Sequence, residues 1–188
     1  MEYHAVDVRD PDAFGALIDD LYRRYGRIDG ALHGAGVVED RWLRDKTPES
    51  LARVFETKAN GAQILARKLR PEELRFLVFF SSVSGRFGNA GQTDYSAANE
   101  YLNKLADHLD REWPGRVVAV NWGPWESGMV SDGLRLTYAH LGIQLIEAEA
   151  GARALLAELG QGDSRVPEVI LTCSPDRIAD LASHTHEQ

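Results

Sequence analysis

The sequence has one cysteine, Cys173, in 188 residues, so it can form no internal disulfide and no cysteine pair can clasp a zinc ion. A chain of this kind fits a reducing, cytoplasmic setting. Nowhere do about 18 apolar residues occur in succession, and Met1-Glu2-Tyr3-His4 carries neither a basic segment nor a following apolar run of signal length, so no membrane span and no export signal are expected. Positive charge is also scarce. Lys+Arg number 21 against 29 Asp+Glu, a formal net charge of −8. No basic cluster interrupts that acidity, which removes nucleic acid and anionic membrane surfaces from the expected partners. No metal site is expected either. Finally, no G-x-G-x-x-G occurs, so the backbone N–H cradle that would hold a dinucleotide pyrophosphate at a helix N-terminus is missing.

What is present suffices for one core. Apolar residues make up 44% and charged residues 27%, ordinary for a soluble globular domain. Tyr3 to Val8 reads as a first strand, followed by the cap and proline Asp10-Pro11 and an apolar stripe of Phe14, Leu17, Ile18, Leu21 and Tyr22 at helical spacing. Gly30 to His33 reads as a strand entering His33-Gly34-Ala35-Gly36. Thr47-Pro48 opens a second helix that Pro71 forbids from continuing. Phe76 to Phe80 is apolar without alternation, as in a parallel sheet covered on both faces. A long helix from about Thr93 to Glu112, a strand Val117 to Val120, a weak helix near Leu134 to Leu141, a helix Ala148 to Leu159 and a strand Glu168 to Thr172 complete the pattern. Five strands alternating with helices predict an α/β, Rossmann-like doubly wound parallel sheet, with ligands beyond the carboxyl ends of the strands. Residues past 182 read as a frayed tail.

Four polar residues stand out: Lys58, Ser82, Tyr95 and Asn99. Ser82 follows directly on a buried strand, and Tyr95 and Asn99, four apart on a helix, share a face. Gly85, Gly88 and Gly91 between them predict a tightly turning loop. Each residue alone has a plainer reading, as a cap, a packing residue or a solvated charge. Together, the run from Ser81 through Gly85-Arg86-Phe87-Gly88 to Tyr95-Ser96-Ala97-Ala98-Asn99, with His33-x-Ala35-Gly36 and Asn121-Trp122-Gly123-Pro124-Trp125, resembles the ketoreductase domains of modular polyketide and polyunsaturated fatty acid synthases. These belong to the short-chain dehydrogenase/reductase superfamily. Tyr95-x-x-x-Asn99 with an upstream Lys58 marks the synthase type, since ordinary short-chain dehydrogenases carry Tyr-x-x-x-Lys.

The resemblance implies reduction of a 3-ketoacyl thioester, held on an acyl carrier protein, by hydride from NADPH. Negative charge developing on the ketone oxygen needs hydrogen-bond donors and a proton. Tyr95 and Ser82 are the expected donors, and a nearby Lys58 ammonium is expected to make the phenol a better acid. By resemblance, Lys58 also binds the nicotinamide ribose, and Asn99 orients Lys58 or a water. Asp7 and Val8 are expected at the adenine, His33, Gly34, Ala35 and Gly36 along the adenosine ribose and nicotinamide side, and Gly123, Pro124 and Trp125 at the nicotinamide. Val38, Glu39, Asp40, Phe87 and Met129 are the expected substrate contacts. Val38-Glu39-Asp40 stands where one stereochemical group carries Leu-Asp-Asp, and Phe87 stands where the opposite group carries tryptophan, which leans toward a D-configured 3-hydroxyacyl product.

The family's first strand, Gly-rich turn, helix and second strand have no counterpart here, so residues 1–182 read as the C-terminal part of a ketoreductase domain, with 183–188 as the tail. In the strand order 3-2-1-4-5-6, Tyr3 to Val8 and Gly30 to His33 would lie about three strand spacings, roughly 14 Å, apart. Either the first strand closes beside Gly30 to His33, or another polypeptide, such as the rest of the synthase or a second copy, fills the slot. Two further functions remain: a non-catalytic structural or dimerising fragment, and a free-standing dehydrogenase, which Asn99 disfavours.

Overall fold

The computed structural model describes residues 1–130, 132–161 and 166–177. The expected tail, 183–188, lies outside them. Helix α1 (Pro11–Tyr25) starts where the Asp10 carboxylate accepts the Asp12 and Ala13 N–H groups and ends at Gly26, whose φ of 81° only glycine adopts readily. Its buried stripe carries Ile18 and Tyr22 onto α2 (Pro48–Lys68), which the Thr47 hydroxyl caps at Ser50 N–H. Strands β1 (Gly30–His33), β2 (Phe76–Ser82), β3 (Arg116–Trp122) and β4 (Glu168–Leu171) form one sheet in that order, and every pairing is parallel.

Because side chains alternate along a strand, the two faces of β2 and β3 build separate cores. Leu77, Phe79, Val117 and Ala119 pack beneath α1, α2 and α4 (Thr93–Glu112). Val78, Val118, Val120 and Trp122 face the opposite way, onto Leu155 and Leu159 of α6 (Ala148–Leu159). Helices therefore cover both faces, and the uninterrupted apolar run in β2 has its physical cause. A short helix α5 (Asp132–His140) lies between β3 and α6. Among the described residues no helix is long and apolar enough to cross a membrane.

Three expectations need correction. Tyr3 to Val8 is not a strand, so the described sheet has four strands and the first alternative, closure beside β1, does not occur. The Glu2 carboxylate is held by Arg24 Nη1 at 2.8 Å and the Tyr25 hydroxyl at 2.7 Å, which ties the segment to the end of α1, and Tyr3 is 90% exposed. An isolated run of this length has no neighbour with which to share backbone hydrogen bonds. β1 is left as an edge strand with Leu32 open to solvent. Thirdly, Gly85 is not in a loop but inside a short helix α3 (Val83–Phe87), with Ser82 as its cap. Only Gly88 and Gly91, at φ 75° and 77°, turn the chain after it.

Candidate active site

The carboxyl end of β2 delivers Ser82, and the first turn of α4 delivers Tyr95. α4 is pinned to the sheet by buried polar contacts: the single Ser81 O–H is shared between the Asn99 carbonyl and Asn121 Oδ1, each at 3.1 Å, and Asn103 Nδ2 donates to the same Asn121 oxygen at 3.1 Å. Gly85 lets α3 lie against α4, since a Cβ there would stand 2.7 Å from Asn99 Cβ. Lys58 arrives from α2, buried, with Nζ donating to the Phe80 carbonyl at 2.7 Å and lying 5.6 Å from the centroid of the Tyr95 ring. Lys58, Ser82 and Tyr95 thus line one cavity of about 270 Å³.

The other expected residues divide. Gly34, Gly123, Pro124 and Trp125, expected at the cofactor, and Val38, Asp40, Phe87 and Met129, expected at the substrate, all line the same cavity. Gly36 stands just behind, where a Cβ would come 3.0 Å from Lys58 Cε and 3.3 Å from Met129 Cε. Glu39 turns away, its carboxylate taken by the Ser50 hydroxyl at 2.7 Å and Arg53 at 2.8 Å. The Asp7 carboxylate accepts from Arg9 Nη2 at 2.7 Å and from its backbone N–H at 2.9 Å. Val8 approaches Gly61 on α2, and neither Val8 nor Ala35 belongs to the cavity wall. Asn99 donates to the Tyr95 carbonyl at 2.8 Å, while Lys58 is held by Phe80; Asn99 Oδ1 is buried with no hydrogen-bond partner among the described residues.

His33 also stands outside the wall. Its ring is buried, edge-on to Phe79, with Nε2 2.9 Å from the Lys58 carbonyl, so it braces the turn of α2 that carries the lysine. Burial pulls its pKa from 6.5 to about 4. Between those values the unfolded chain binds a proton that the folded chain does not. Stability is therefore complete above pH 6.5 and falls toward pH 4, by about 3 kcal/mol in all. Urea denaturation across this range is expected to show that loss and His33→Asn, which cannot titrate, to flatten it.

The electrostatics of the tetrad differ from expectation in one respect. Burial pushes the Tyr95 phenol up from its ordinary value, and hydrogen bonding with Ser82 and Asn99 only partly offsets that. Lys58 is itself brought down to about 8 by burial. The dry wall that gathers these groups penalises both charged forms, so the phenol holds its proton rather than becoming readily ionised.

A nicotinamide dinucleotide fits this chain at one end only. Gly34, Lys58, Pro124 and Trp125 line one cavity, with Gly36 packed behind it against Lys58 and Met129, and these are the residues that would hold a nicotinamide and its ribose. Trp125 keeps its place because Gly151 of α6 has no side chain: a Cβ there would lie 2.3 Å from the ring. For the pyrophosphate the sequence supplies no glycine-rich turn.

A family model described as the KR domain matches residues 1–127, two-thirds of the sequence and all of the tetrad. The chain belongs to the ketoreductase-domain family. It is 38% identical over 127 residues to a polyunsaturated fatty acid synthase protein of Thraustochytrium sp., covering 68% of this chain and 4% of that protein. To polyketide synthase PksN of Bacillus subtilis it is 36% identical over 167 residues, covering 84% of this chain and 3% of that one. Among solved structures, an N-terminal ketoreductase from the macrolactin assembly line superposes with a TM-score of 0.82 at 30% identity, over 96% of this chain and 36% of that one. The ketoreductase-family chain thus spans a small fraction of these synthases and a little over a third of that ketoreductase.

Within the ketoreductase fold, several cavity residues escape sequence reading, Gln92 and Tyr138 among them. Gln92 donates from Nε2 to Asp40 Oδ2 at 3.1 Å and accepts from the Ser84 hydroxyl at 3.0 Å, bridging the two walls. Tyr138 of α5 faces the cavity, and burial together with Asp40 and Tyr95 pushes its phenol up. Its place four residues after Leu134, also a wall residue, was the available signal.

Proposed function

We propose that this chain carries the catalytic half of an NADPH-dependent 3-ketoacyl reductase that acts on thioesters borne by an acyl carrier protein, in the cytoplasm, within polyketide or related fatty acid synthesis. Residues 1–182 are, in this reading, the C-terminal part of the ketoreductase domain. The observation that supports it most is the convergence of Lys58, Ser82 and Tyr95 on one cavity. The dinucleotide, when bound, supplies the hydride that reaches the ketone carbon. The Ser82 hydroxyl donates a hydrogen bond to the ketone oxygen as charge builds on it. Tyr95 Oη passes its proton to that oxygen, which completes the alcohol. Lys58 Nζ, fixed by the Phe80 carbonyl, holds the ribose hydroxyls. Trp125 and Met129 flank these groups in the cavity wall. Asp40 and Phe87 favour a D-configured 3-hydroxy product.

The missing phosphate cradle is, in this proposal, provided by a strand-turn-helix polypeptide that pairs with the open edge of β1. The decisive assay follows reduction of a diffusible 3-ketoacyl thioester with NADPH and NADH, using the polypeptide that contains this chain together with any segment preceding it. Turnover preferring NADPH supports the reading. A flat dinucleotide titration, accompanied by concentration-dependent dimerisation through the β1 edge, supports the structural alternative instead.

Gly36 offers a finer check. A methyl group there meets only the flexible ends of Lys58 and Met129, so Gly36→Ala is expected to change stability by under about 1 kcal/mol. The same methyl displaces the lysine, and a roughly 10-fold loss in kcat/KM is expected. Steady-state kinetics beside a thermal melt measure both.

A further inference from the structure

The most deeply buried ion pair among the described residues lies behind the tyrosine. Lys46 Nζ is 2.7 Å from Asp94 Oδ1 and 2.8 Å from Oδ2, with side chains only 2% and 1% exposed. The ammonium donates once more, to the Glu39 carbonyl at 2.9 Å, and Asp94 Oδ1 accepts the Tyr95 backbone N–H, also at 2.9 Å. Lys46 immediately precedes the Thr47 cap of α2, and Asp94 immediately precedes Tyr95. The pair thus joins the loop that presents Val38 and Asp40 to the turn that presents the phenol.

Two lesser links tie the same surfaces: Arg41 N–H to the Gly91 carbonyl at 3.0 Å and Gln92 to Asp40. Apart from a short turn at Leu43–Asp45 the loop has no regular structure, and Trp42 and Leu43 stand in solvent. A segment so poorly covered needs an anchor to keep one geometry. Burying two charges is a costly way to gain stability alone, because well-packed apolar residues of like volume commonly do as well. What a salt bridge with fixed partners adds is register.

We infer that Lys46 and Asp94 are positioning residues, a clamp that sets Asp40 and Val38 against the Tyr95 hydroxyl and so fixes which face of the ketone is presented. This rests on the reductase reading above. It concerns rate and stereochemical fidelity, and neither residue touches the reacting atoms.

The test is the double variant Lys46→Met/Asp94→Leu, which keeps volume and leaves no unpaired charge. Its melting temperature and dinucleotide affinity are expected to match the unmodified protein. Its kcat on a diffusible 3-ketoacyl thioester is expected to fall by about 10- to 100-fold, and the ratio of the two 3-hydroxy enantiomers to move toward one. A purely structural pair would move neither quantity once stability is matched, and that result overturns the clamp. Lys46→Met/Asp94→Asn likewise leaves no unpaired charge, keeps the acceptor for Tyr95 N–H, and guards against a Met/Leu double variant that does not fold. Faster hydrogen exchange across residues 37–46 is expected in it, and unchanged exchange there also overturns the proposal. If the unmodified protein reduces no thioester, the reductase reading fails, while exchange in that segment still decides whether the pair holds the loop.

Discussion

Tyr95→Phe is expected to lower kcat by about 10²- to 10⁴-fold, the range for losing a positioned proton donor. The fold should hardly notice. The ring keeps its packing, and the hydrogen bonding shared with Ser82 contributes roughly 0.5–1.5 kcal/mol. Dinucleotide affinity, read by quenching of protein fluorescence, should stay within a few-fold, because the cavity wall keeps its shape. A variant that retains more than a tenth of the turnover would remove Tyr95 from the proton path, leaving Tyr138, the other phenol facing this cavity, to be tested in its place. Because burial keeps the Tyr95 phenol protonated, its activity should not decline with rising pH until well above neutrality.

Lys58→Met is expected to abolish turnover and yet to stabilise the protein. The lysine is 3% exposed, and burial lowers its pKa from 10.5 to about 8. Between those values the unfolded chain retains a proton that the folded chain has released, so stability rises with pH through the window. Below pH 8 both states are charged, and the fold bears the full cost of a desolvated ammonium, about 3 kcal/mol. Methionine removes that cost while losing the hydrogen bond to Phe80, which returns roughly 1 kcal/mol. Urea denaturation at pH 7 should therefore place the variant about 1–3 kcal/mol above the unmodified protein, with the gain vanishing near pH 10.5. A variant destabilised at pH 7 would mean that the ammonium is well solvated and that the wall around it is wet. The two outcomes expected together, more stability and no activity, are the signature of a residue kept for chemistry against the preference of the fold.

The parts of the fold that were legible share one cause. Alternation of apolar runs with helical stripes reports burial, and burial is what decided β2, β3, α2, α4 and α6. The family was legible for a further reason: the His33 to Gly36 turn, Ser82, Tyr95 and Asn99 stand at its spacing, and the KR-domain match over residues 1–127 bears the family out. Tyr3 to Val8 failed because an apolar run promises a strand only if a neighbour offers hydrogen bonds, and this segment is anchored instead to the end of α1 by Glu2. Gly85 misled because glycine marks close approach as readily as a turn; here Asn99 occupies the space a side chain would need.

Composition and order of residues alone determined a parallel α/β architecture and the identity of its polar residues, since hydrophobic periodicity and chemical type are properties of the string itself. Tertiary structure alone decided which groups meet, because contact depends on how loops return through space. It paired Lys46 with Asp94 across 48 positions, turned Glu39 out toward Arg53, and withdrew Lys58 and Tyr95 from water far enough to shift both.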